Sequence, residues 1–360
     1  MDYRKKLDLA RDPNTPVEAL EALAKDKEWT VRWRVATNPN TPAHILEALA
    51  QDESWEVRLA AAENPNAPRE VLEALAGDKN AEVRRAAARN PNSPPETLKV
   101  LARDRERDVR EGVAGNPSTP EAVLRALAED GDWIVRRAVA ENPNAPAQVL
   151  RRLAGDKAKA VRQAAAGNPN TPAHALERLA GDKGEEVRRE VAWNPSAPPQ
   201  VLEKLARDED GFVRRAVAGN PNTSARVLEE LAKEEDWLTR RVVAENPNTP
   251  AQALKRLAED RAKAVRQAVA GNPNAPAQVL RNLAEDEDWV VRLAVAGNPN
   301  APPEALVLLS VRDHVEEVKR EALEAIRKRA NPSSPMDFFQ SLLCVKPSSC
   351  DAERQGESHV

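Results

Sequence analysis

The chain has 360 residues, of which 29 are proline, 13 are glycine and 31% are charged. This mixture excludes a collagen, a low-complexity linker and a disordered acidic tail. The formal net charge of −4 gives no large field to attract nucleic acid or an anionic membrane, and both cysteines lie within the last 17 residues, which excludes a disulfide-stapled secreted scaffold. Without an apolar signal segment or a run of about 18 apolar residues, we expect a soluble cytoplasmic protein with no membrane partner.

The first predicted element, residues 1–11, reads MDYRKKLDLAR and precedes a series of repeats. We interpret it as half of a repeat. The end layers of a repeat stack need a polar outer surface, and the charged residues of this segment supply one. The segment is therefore predicted to be an N-terminal cap.

From residue 12 onward, a proline recurs every 26 residues, with no slip in twelve copies. An asparagine precedes each of these prolines, except in the first copy, where Asp12 takes its place. Self-similarity at a fixed period of this length is typical of repeat architectures. We therefore interpret residues 12–330 as one domain of tandem repeats, whose marker prolines are Pro13, Pro39, Pro65, Pro91, Pro117, Pro143, Pro169, Pro195, Pro221, Pro247, Pro273 and Pro299.

One copy, residues 38–63, reads NPNTPAHILEALAQDESWEVRLAAAE and contains two predicted helices. Pro39 ends the preceding helix, because proline has no N–H and pushes the residue before it toward extended geometry. Asn40 or Thr41 is predicted to cap the first helix of the copy, with Pro42 in its first turn.

Leu46 and Leu49 lie on one stripe of the first helix, and both positions are leucine in all twelve copies. The second helix is predicted to direct Val57, Ala61 and Ala62 inward. Each predicted helix has about ten residues, too few to be stable alone in water. The copies must therefore stack, with leucines filling the space between layers and alanines allowing close approach.

The segments NPNTP, LxxLAxD and VRxxVA, repeated in this order, resemble the leucine-rich repeat variant family, a relative of the HEAT-type α-solenoids. The resemblance covers residues 12–330 and implies an all-α fold, a right-handed α-solenoid of about twelve 26-residue repeats with two helices each. The family allows either an α-helix or a short 3₁₀ segment as the second helix, and the spacing of Val57, Ala61 and Ala62 favours α. Some members hold an iron–sulfur centre in an N-terminal cysteine cluster. Since this sequence has no cysteine before Cys344, no cofactor is expected, and the family implies no shared enzymatic activity.

Residues 331–360 leave the repeat pattern and are expected to form a partly disordered C-terminal tail. The segment MDFFQSLLCV within the tail folds back as a cap in one interpretation and hangs free as a short binding motif in the other. Cys344 and Cys350 have a spacing that is weak for a metal site, so we interpret them as ordinary tail thiols.

An arginine recurs at one position of the second helix in eleven copies, and an acidic residue stands six positions before it. These arginines form either a track for phosphates or a structural ladder to the aspartate of their own or the next repeat, such as Arg136 with Asp130. Constant pairing at fixed spacing favours the ladder, because a buried arginine needs a partner. The arginines are Arg32, Arg58, Arg84, Arg110, Arg136, Arg162, Arg188, Arg214, Arg240, Arg266 and Arg292, and Lys319 takes the twelfth place.

Two positions of the second helix vary in chemistry, one lying three residues before the ladder arginine and one lying directly after it. They are four residues apart and share a helix face, which we call the variable face. Large aromatic residues and arginines there indicate a recognition surface, unless each tryptophan merely covers the seam between repeats. The candidate partner-binding residues are Trp29, Trp33, Trp55, Trp133, Arg137, Arg215, Trp237, Arg241 and Trp289.

The predicted function is a non-enzymatic scaffold or adaptor that binds another protein along the second helices. The four histidines are dispersed, and no nucleophile-elbow, zinc-protease, phosphate-loop or dinucleotide-binding motif occurs, so we predict no catalytic residue and no metal ligand. Nucleic-acid binding is the alternative, with acidic neighbours such as Glu56 and Glu82 counting against it. The arginines that favour it are Arg85, Arg137, Arg189, Arg215 and Arg241.

Overall fold

The computed structural model describes residues 1–329, and this range contains 25 α-helices and no β-strand. The chain divides into two compact units, an N-terminal unit of Met1–Pro198 and a C-terminal unit of Pro199–Val360. The prediction of an all-α fold built from two-helix repeats is confirmed.

The helices of the N-terminal unit are α1 (Tyr3–Arg11), α2 (Val17–Leu23), α3 (Trp29–Thr37), α4 (Ala43–Leu49), α5 (Trp55–Glu63), α6 (Arg69–Leu75), α7 (Ala81–Arg89), α8 (Pro95–Leu101), α9 (Arg107–Gly115), α10 (Glu121–Leu127), α11 (Trp133–Glu141), α12 (Ala147–Leu153), α13 (Lys159–Gly167), α14 (Ala173–Leu179) and α15 (Glu185–Trp193). The described helices of the C-terminal unit are α16 (Pro199–Leu205), α17 (Gly211–Gly219), α18 (Ala225–Leu231), α19 (Trp237–Glu245), α20 (Ala251–Leu257), α21 (Lys263–Gly271), α22 (Ala277–Leu283), α23 (Trp289–Gly297), α24 (Pro303–Arg312) and α25 (Glu316–Arg329).

A typical repeat has a first helix of seven residues, as in α4, and a second helix of nine, as in α5. The second helix is α-helical, as its spacing predicted. Leu46 and Leu49 are buried, as are the leucines at these two positions in every other copy. Val57 and Ala61 are fully buried on the second helix. The leucine stripe and the small inward residues of the sequence therefore form the core.

Within each unit, successive second helices pack directly on one another, as α5 does on α7 and α19 does on α21. Small residues permit this approach, most clearly at Gly112 on α9. A Cβ atom at Gly112 would lie 3.1 Å from the Cβ of Ala88 and 3.1 Å from the Cγ of Arg89 on α7. A larger side chain at this position would push the two layers apart.

The asparagine before each marker proline forms a buried bond between layers. The Nδ2 of Asn142 donates to the carbonyl oxygens of Ala114 (2.7 Å) and Asn116 (2.9 Å) in the preceding repeat. Its Oδ1 accepts from the backbone N–H of Asn144 at 2.8 Å. The same rung of bonds joins layers inside each unit at Asn38, Asn64, Asn90, Asn116, Asn168, Asn194, Asn246, Asn272 and Asn298.

The prediction that Asn40 or Thr41 caps the next helix is wrong. The Nδ2 of Asn40 instead donates to the carbonyl oxygen of Pro13 in the preceding repeat at 2.8 Å. The Thr41 hydroxyl donates backwards to the carbonyl oxygen of Val35 at 2.6 Å. Pro42 stands at the N-cap itself, without a side-chain bond. Both polar side chains therefore satisfy carbonyl oxygens at the end of the previous helix or layer.

The first helix of the chain occupies the position of a second helix. On α1, Lys6 takes the place of the ladder arginine, and its Nζ donates to Asp26 Oδ2 at 2.6 Å. The hydroxyl of Tyr3 bonds to the Oγ1 of Thr30 at 2.9 Å. Residues 1–11 are thus a half-repeat joined to the first full repeat by side-chain bonds.

At the other end of the described range, Arg329 on α25 takes the place of the asparagine that bonds one layer to the next. Its Nη2 donates to the carbonyl oxygen of Asn298 at 2.8 Å, the atom that the asparagine of a further repeat would use. The predictions for residues 331–360, including Cys344 and Cys350, fall outside the described residues.

The buried hydrogen bonds of the asparagine before each marker proline lead to a first prediction. Asn142→Ala should destabilise the fold by about 3 kcal/mol, because two buried carbonyl oxygens and one backbone N–H lose their partner. Asn144→Ala is the matched control. Asn144 is exposed and donates one side-chain bond, to Pro117, so its loss should cost less than about 1 kcal/mol. Urea unfolding followed by circular dichroism measures both, and equal shifts of the midpoint would contradict the assignment.

Candidate interaction surface

Most of the recurring arginines of the second helices are buried, and Arg136 shows how their side chains are bonded. The Nε and Nη2 of Arg136 donate to the two carboxylate oxygens of Asp156 in the next repeat, at 2.6 and 2.9 Å. Its Nη1 donates to the backbone carbonyl oxygens of Asp130 (2.7 Å) and Gly131 (3.1 Å). All three guanidinium nitrogens of Arg136 are engaged and its side chain is buried, so this arginine belongs to the framework.

The expected pairing of Arg136 with the carboxylate of Asp130 is wrong, because Asp130 accepts instead from Arg110 of the preceding repeat, at 2.7 Å. Arg110 and Arg136 therefore each reach 20 residues forward to a carboxylate and not six residues back to one. The same forward pairs are Arg32–Asp52, Arg58–Asp78, Arg84–Asp104 and Arg162–Asp182 in the N-terminal unit, and Arg240–Asp260 and Arg266–Asp286 in the C-terminal unit. The last pair, Arg292–Asp313, spans 21 residues because of an insertion.

The ladder shifts the ionisation of its carboxylates. Burial raises the pKa of Asp156, but hydrogen bonds from the Arg136 guanidinium and the Ala158 backbone N–H outweigh burial and leave the pKa below its ordinary 3.8. At six other aspartates, burial again raises the pKa, and hydrogen bonds from an arginine and a backbone N–H again lower it by more. These aspartates are Asp78, Asp104, Asp130, Asp182, Asp260 and Asp313. These carboxylates are therefore charged partners of the arginines at neutral pH.

One pair of the ladder is weaker than the others. Glu234 stands where the other repeats have aspartate, and its Oε2 accepts a single bond from the Nη2 of Arg214 at 3.2 Å. The buried Nε of Arg214 has no hydrogen-bond partner in the part of the chain that the structure describes. The longer side chain of glutamate thus replaces a two-bond pair with a one-bond pair.

The variable face carries exposed indoles. Trp29, Trp55, Trp133, Trp237 and Trp289 occupy the same helix position and are 38–43% exposed. An indole buried in a seam between repeats would have an exposure near zero. The predicted Trp33 differs, because it is half-buried and the guanidinium of Arg34 lies 4.6 Å from its ring centroid.

Two of the tryptophans belong to matching triads, one in each unit. The guanidinium of Arg137 lies 5.7 Å from the ring of Trp133, and its Nε lies 3.4 Å from Glu141. In the C-terminal unit, Arg241 lies 6.0 Å from Trp237 and 3.4 Å from Glu245. Positions one, five and nine of the helix thus place an aromatic ring, a cation and a carboxylate along one line.

Arg215 is the remaining candidate, and its aromatic neighbour was missed from the sequence. Its guanidinium lies 5.2 Å from the ring of Phe212, which is 61% exposed. Phe212 stands one residue after the tryptophan position, so a search of that position alone does not find it. The Nη2 of Arg215 also donates to Asp236 at 2.7 Å. Burial raises the pKa of Asp236, but hydrogen bonds from Arg215, Thr239 and Leu238 outweigh burial and lower the pKa to about 2.

An aromatic groove of 380 Å³ lies at the start of the N-terminal unit, on α1, α3 and α5. Trp29 and Trp33 were candidate partner-binding residues from the sequence, whereas Tyr3 was not, although it stands one period before Trp29. The lining residues are Tyr3, Leu7, Trp29, Thr30, Trp33, Arg34, Glu56 and Leu59.

A second, more polar cavity of 470 Å³ lies between α11, α13 and α15. Arg137, Glu141 and Glu190 line it, and Gln163 donates to Glu190 at 3.2 Å. Within residues 1–329, no three histidine, cysteine, aspartate or glutamate side chains are grouped so as to hold a metal ion. No helix in that range is long and apolar enough to cross a membrane.

The stacked layers, the asparagine bonds between them and the arginine ladder define a helical repeat protein. The leucine-rich repeat variant profile matches residues 29–54, 55–80, 133–157, 160–183, 185–210, 264–288 and 289–314, and the related leucine-rich repeat variant domain profile matches residues 84–141 and 213–271. The chain belongs to the leucine-rich repeat variant family.

A solved structure described as a leucine-rich repeat variant with a novel repetitive structural motif is 30% identical to this chain. The match covers 61% of this chain and 87% of that one, with a TM-score of 0.46. Structures of Kap95p binding RanGDP and of Kap121p bound to RanGTP are 11% and 12% identical, with TM-scores of 0.33. They match 94% and 89% of this chain, which spans 51% and 42% of theirs. No curated protein is significantly similar to the chain in sequence.

The ladder generates a second prediction. Arg136→Ala should destabilise the protein by about 3–5 kcal/mol, because it leaves the buried carboxylate of Asp156 without its partner. Arg214→Ala removes a one-bond pair at a more exposed position and should cost clearly less. Thermal unfolding of the two variants measures the difference. A variant Arg136→Ala that kept full stability would exclude the framework role.

A third prediction concerns the stability of the protein at acidic pH. The folded pKa values of Asp130, Asp156 and the other five ladder aspartates named above lie below 3.8, so the stabilisation from these groups is present above that pH and is lost as pH falls through the folded values. The thermal midpoint should therefore drop from about pH 4 downward. Asp156→Asn should unfold at a lower temperature at pH 7 and show a shallower acid dependence. An unchanged acid slope in this variant would count against the assignment.

Proposed function

We propose that this protein is a non-enzymatic scaffold that binds another protein along the variable face of its second helices. The observation that carries the proposal is the exposure of five tryptophans at one helix position, 38–43% each. Framework positions keep their residue type from copy to copy because packing and the ladders fix them. The variable face is not under that constraint, so packing does not explain why tryptophans stand there.

A role in binding a partner explains the exposed tryptophans. A large exposed indole contributes little to the core and raises the risk of aggregation, whereas tryptophan, tyrosine and arginine are enriched among the residues that dominate protein interfaces. The triads of Trp133 and Trp237 also present their rings in a fixed orientation, because each arginine lies against its ring. A pre-oriented aromatic anchor loses less side-chain entropy on binding.

Nucleic-acid binding is less well supported by the same surface. Arginines that contact phosphates must release their own partners, and four of the five arginines on the variable face are paired with carboxylates. These pairs are Arg85–Glu82, Arg137–Glu141, Arg215–Asp236 and Arg241–Glu245. The formal net charge of −4 adds no attraction for a polyanion.

The fourth prediction tests the proposed function. A variant with both Trp133→Ala and Trp237→Ala should bind its protein partner more weakly by about 2 kcal/mol or more for each anchor that is a hot spot. Thermal stability should change little, because both rings lie at the surface. Photo-crosslinkers placed at these two positions should label the partner in affinity enrichment followed by mass spectrometry.

Val100→Ala is the matched control, because Val100 is a 67% exposed apolar residue on a first helix, away from the variable face. This variant should bind as the unchanged protein does. A double tryptophan variant that unfolds before it stops binding would contradict the proposal. Salt-dependent retention on heparin at physiological ionic strength would favour nucleic acid instead.

A further inference from the structure

The aromatic groove of the N-terminal unit differs from the rest of the variable face. Elsewhere in the described residues, Trp133, Trp237 and Trp289 each stand in a layer whose neighbours carry no tryptophan on the variable face. On α1, α3 and α5, three successive layers carry Tyr3, Trp29 and Trp55 at the same helix position, all exposed. Leu7, Trp33 and Leu59 fill the position four residues later. The result is a continuous apolar strip across three layers.

The spacing of this strip fits one peptide conformation. Packed helices lie about 8–10 Å apart, so the strip offers one aromatic ring at about that interval. A polyproline II helix has three residues per turn and rises 3.1 Å per residue, about 9 Å per turn. Successive turns of such a peptide would therefore meet successive layers of the groove in register. A β-strand or an α-helix repeats at other distances.

The polar groups of the groove are matched to the same ligand. The indoles of Trp29 and Trp33 line the groove, and their N–H groups are donors for which the described residues supply no acceptor. A polyproline II backbone has no internal hydrogen bonds and leaves its carbonyl oxygens free to accept. Indole is a donor only, so it pairs with such carbonyl oxygens and not with backbone N–H groups, which proline lacks.

The groove is lined by one positive and one negative side chain, and each of them contacts a neighbouring residue. Arg34 lies against the ring of Trp33, and Glu56 accepts a hydrogen bond from the Ser54 hydroxyl at 2.5 Å. The two lining charges have opposite signs, so the groove has no net charge to attract an acidic or a basic peptide. An uncharged, apolar and stiff segment complements it best.

Building on the proposed function, we propose that the aromatic groove on α1, α3 and α5 binds a proline-rich segment of the partner protein in the polyproline II conformation. Aromatic-lined grooves recognise such segments because the peptide is already extended and loses little entropy on binding. Tyr3 is held in place by its bond to Thr30, which keeps the first ring of the strip oriented.

The test uses the full chain and fluorescent nine-residue peptides, each with three copies of Pro-Pro-Leu, Pro-Pro-Arg or Pro-Pro-Glu. A peptide of three Gly-Ser-Leu copies is the flexible control. Fluorescence anisotropy should show saturable binding of at least one proline-rich peptide and none of the control. Trp29→Ala and Trp29→Leu should each weaken that binding about tenfold or more.

Trp133→Ala is the matched control variant, because Trp133 occupies the same helix position and is 42% exposed, against 43% for Trp29. It should leave peptide affinity unchanged, and circular dichroism should show equal helicity in all three variants. The inference is overturned if no proline-rich peptide binds, if the flexible peptide binds equally, or if Trp133→Ala weakens binding as much as Trp29→Ala.

Two further outcomes separate this inference from the proposed function. A concentration-dependent dimer that Trp29→Ala abolishes would show that a second copy of the chain occupies the groove, and it would overturn the peptide assignment. If peptides fail to bind while the Trp133 and Trp237 double variant still loses its protein partner, the groove inference fails and the proposed function stands.

Discussion

The buried amide of the asparagine before each marker proline is the interaction on which the architecture depends. Helices of seven and nine residues do not persist alone in water, so each layer must be held by its neighbours. The amide of Asn142 donates backwards into two carbonyl oxygens of the preceding layer. The guanidinium of Arg136 reaches forward to Asp156. Within each unit, these polar side chains bond successive layers to one another, and the leucine core supplies the burial.

Neighbouring arginines show how strongly position decides the role of a residue. Arg136 and Arg137 are adjacent in sequence and have identical side chains. Arg136 is buried with its donors divided between a carboxylate and two carbonyl oxygens. Arg137 lies at the surface against the ring of Trp133. A helix turns by about 100° per residue, so one step in sequence moves a side chain from the interlayer seam to the variable face.

Each layer of this chain divides into framework positions and the variable face. The framework residues recur from layer to layer, so the exposed positions of the helix have the freedom to carry polar, charged or aromatic residues. The first three layers of this chain use that freedom for a continuous aromatic strip, whereas the later layers alternate rings with charged residues.

The sequence by itself determined the repeat period, the two helices of each copy, the leucine core and the family, because these depend on local patterns of apolar residues and proline. It also indicated that the recurring arginines are framework. Their partner was decided only by stacking, since an aspartate 20 residues ahead competes with one six residues behind.

The roles of Asn40 and Thr41 were likewise decided by tertiary structure. Local rules assign short polar side chains to the nearest helix N-terminus, but here carbonyl oxygens of the preceding helix and layer lie within reach and take both donors. The groove around Tyr3 has the same origin. Contacts between layers join residues that are distant in sequence, and only the packing of those layers brings them together.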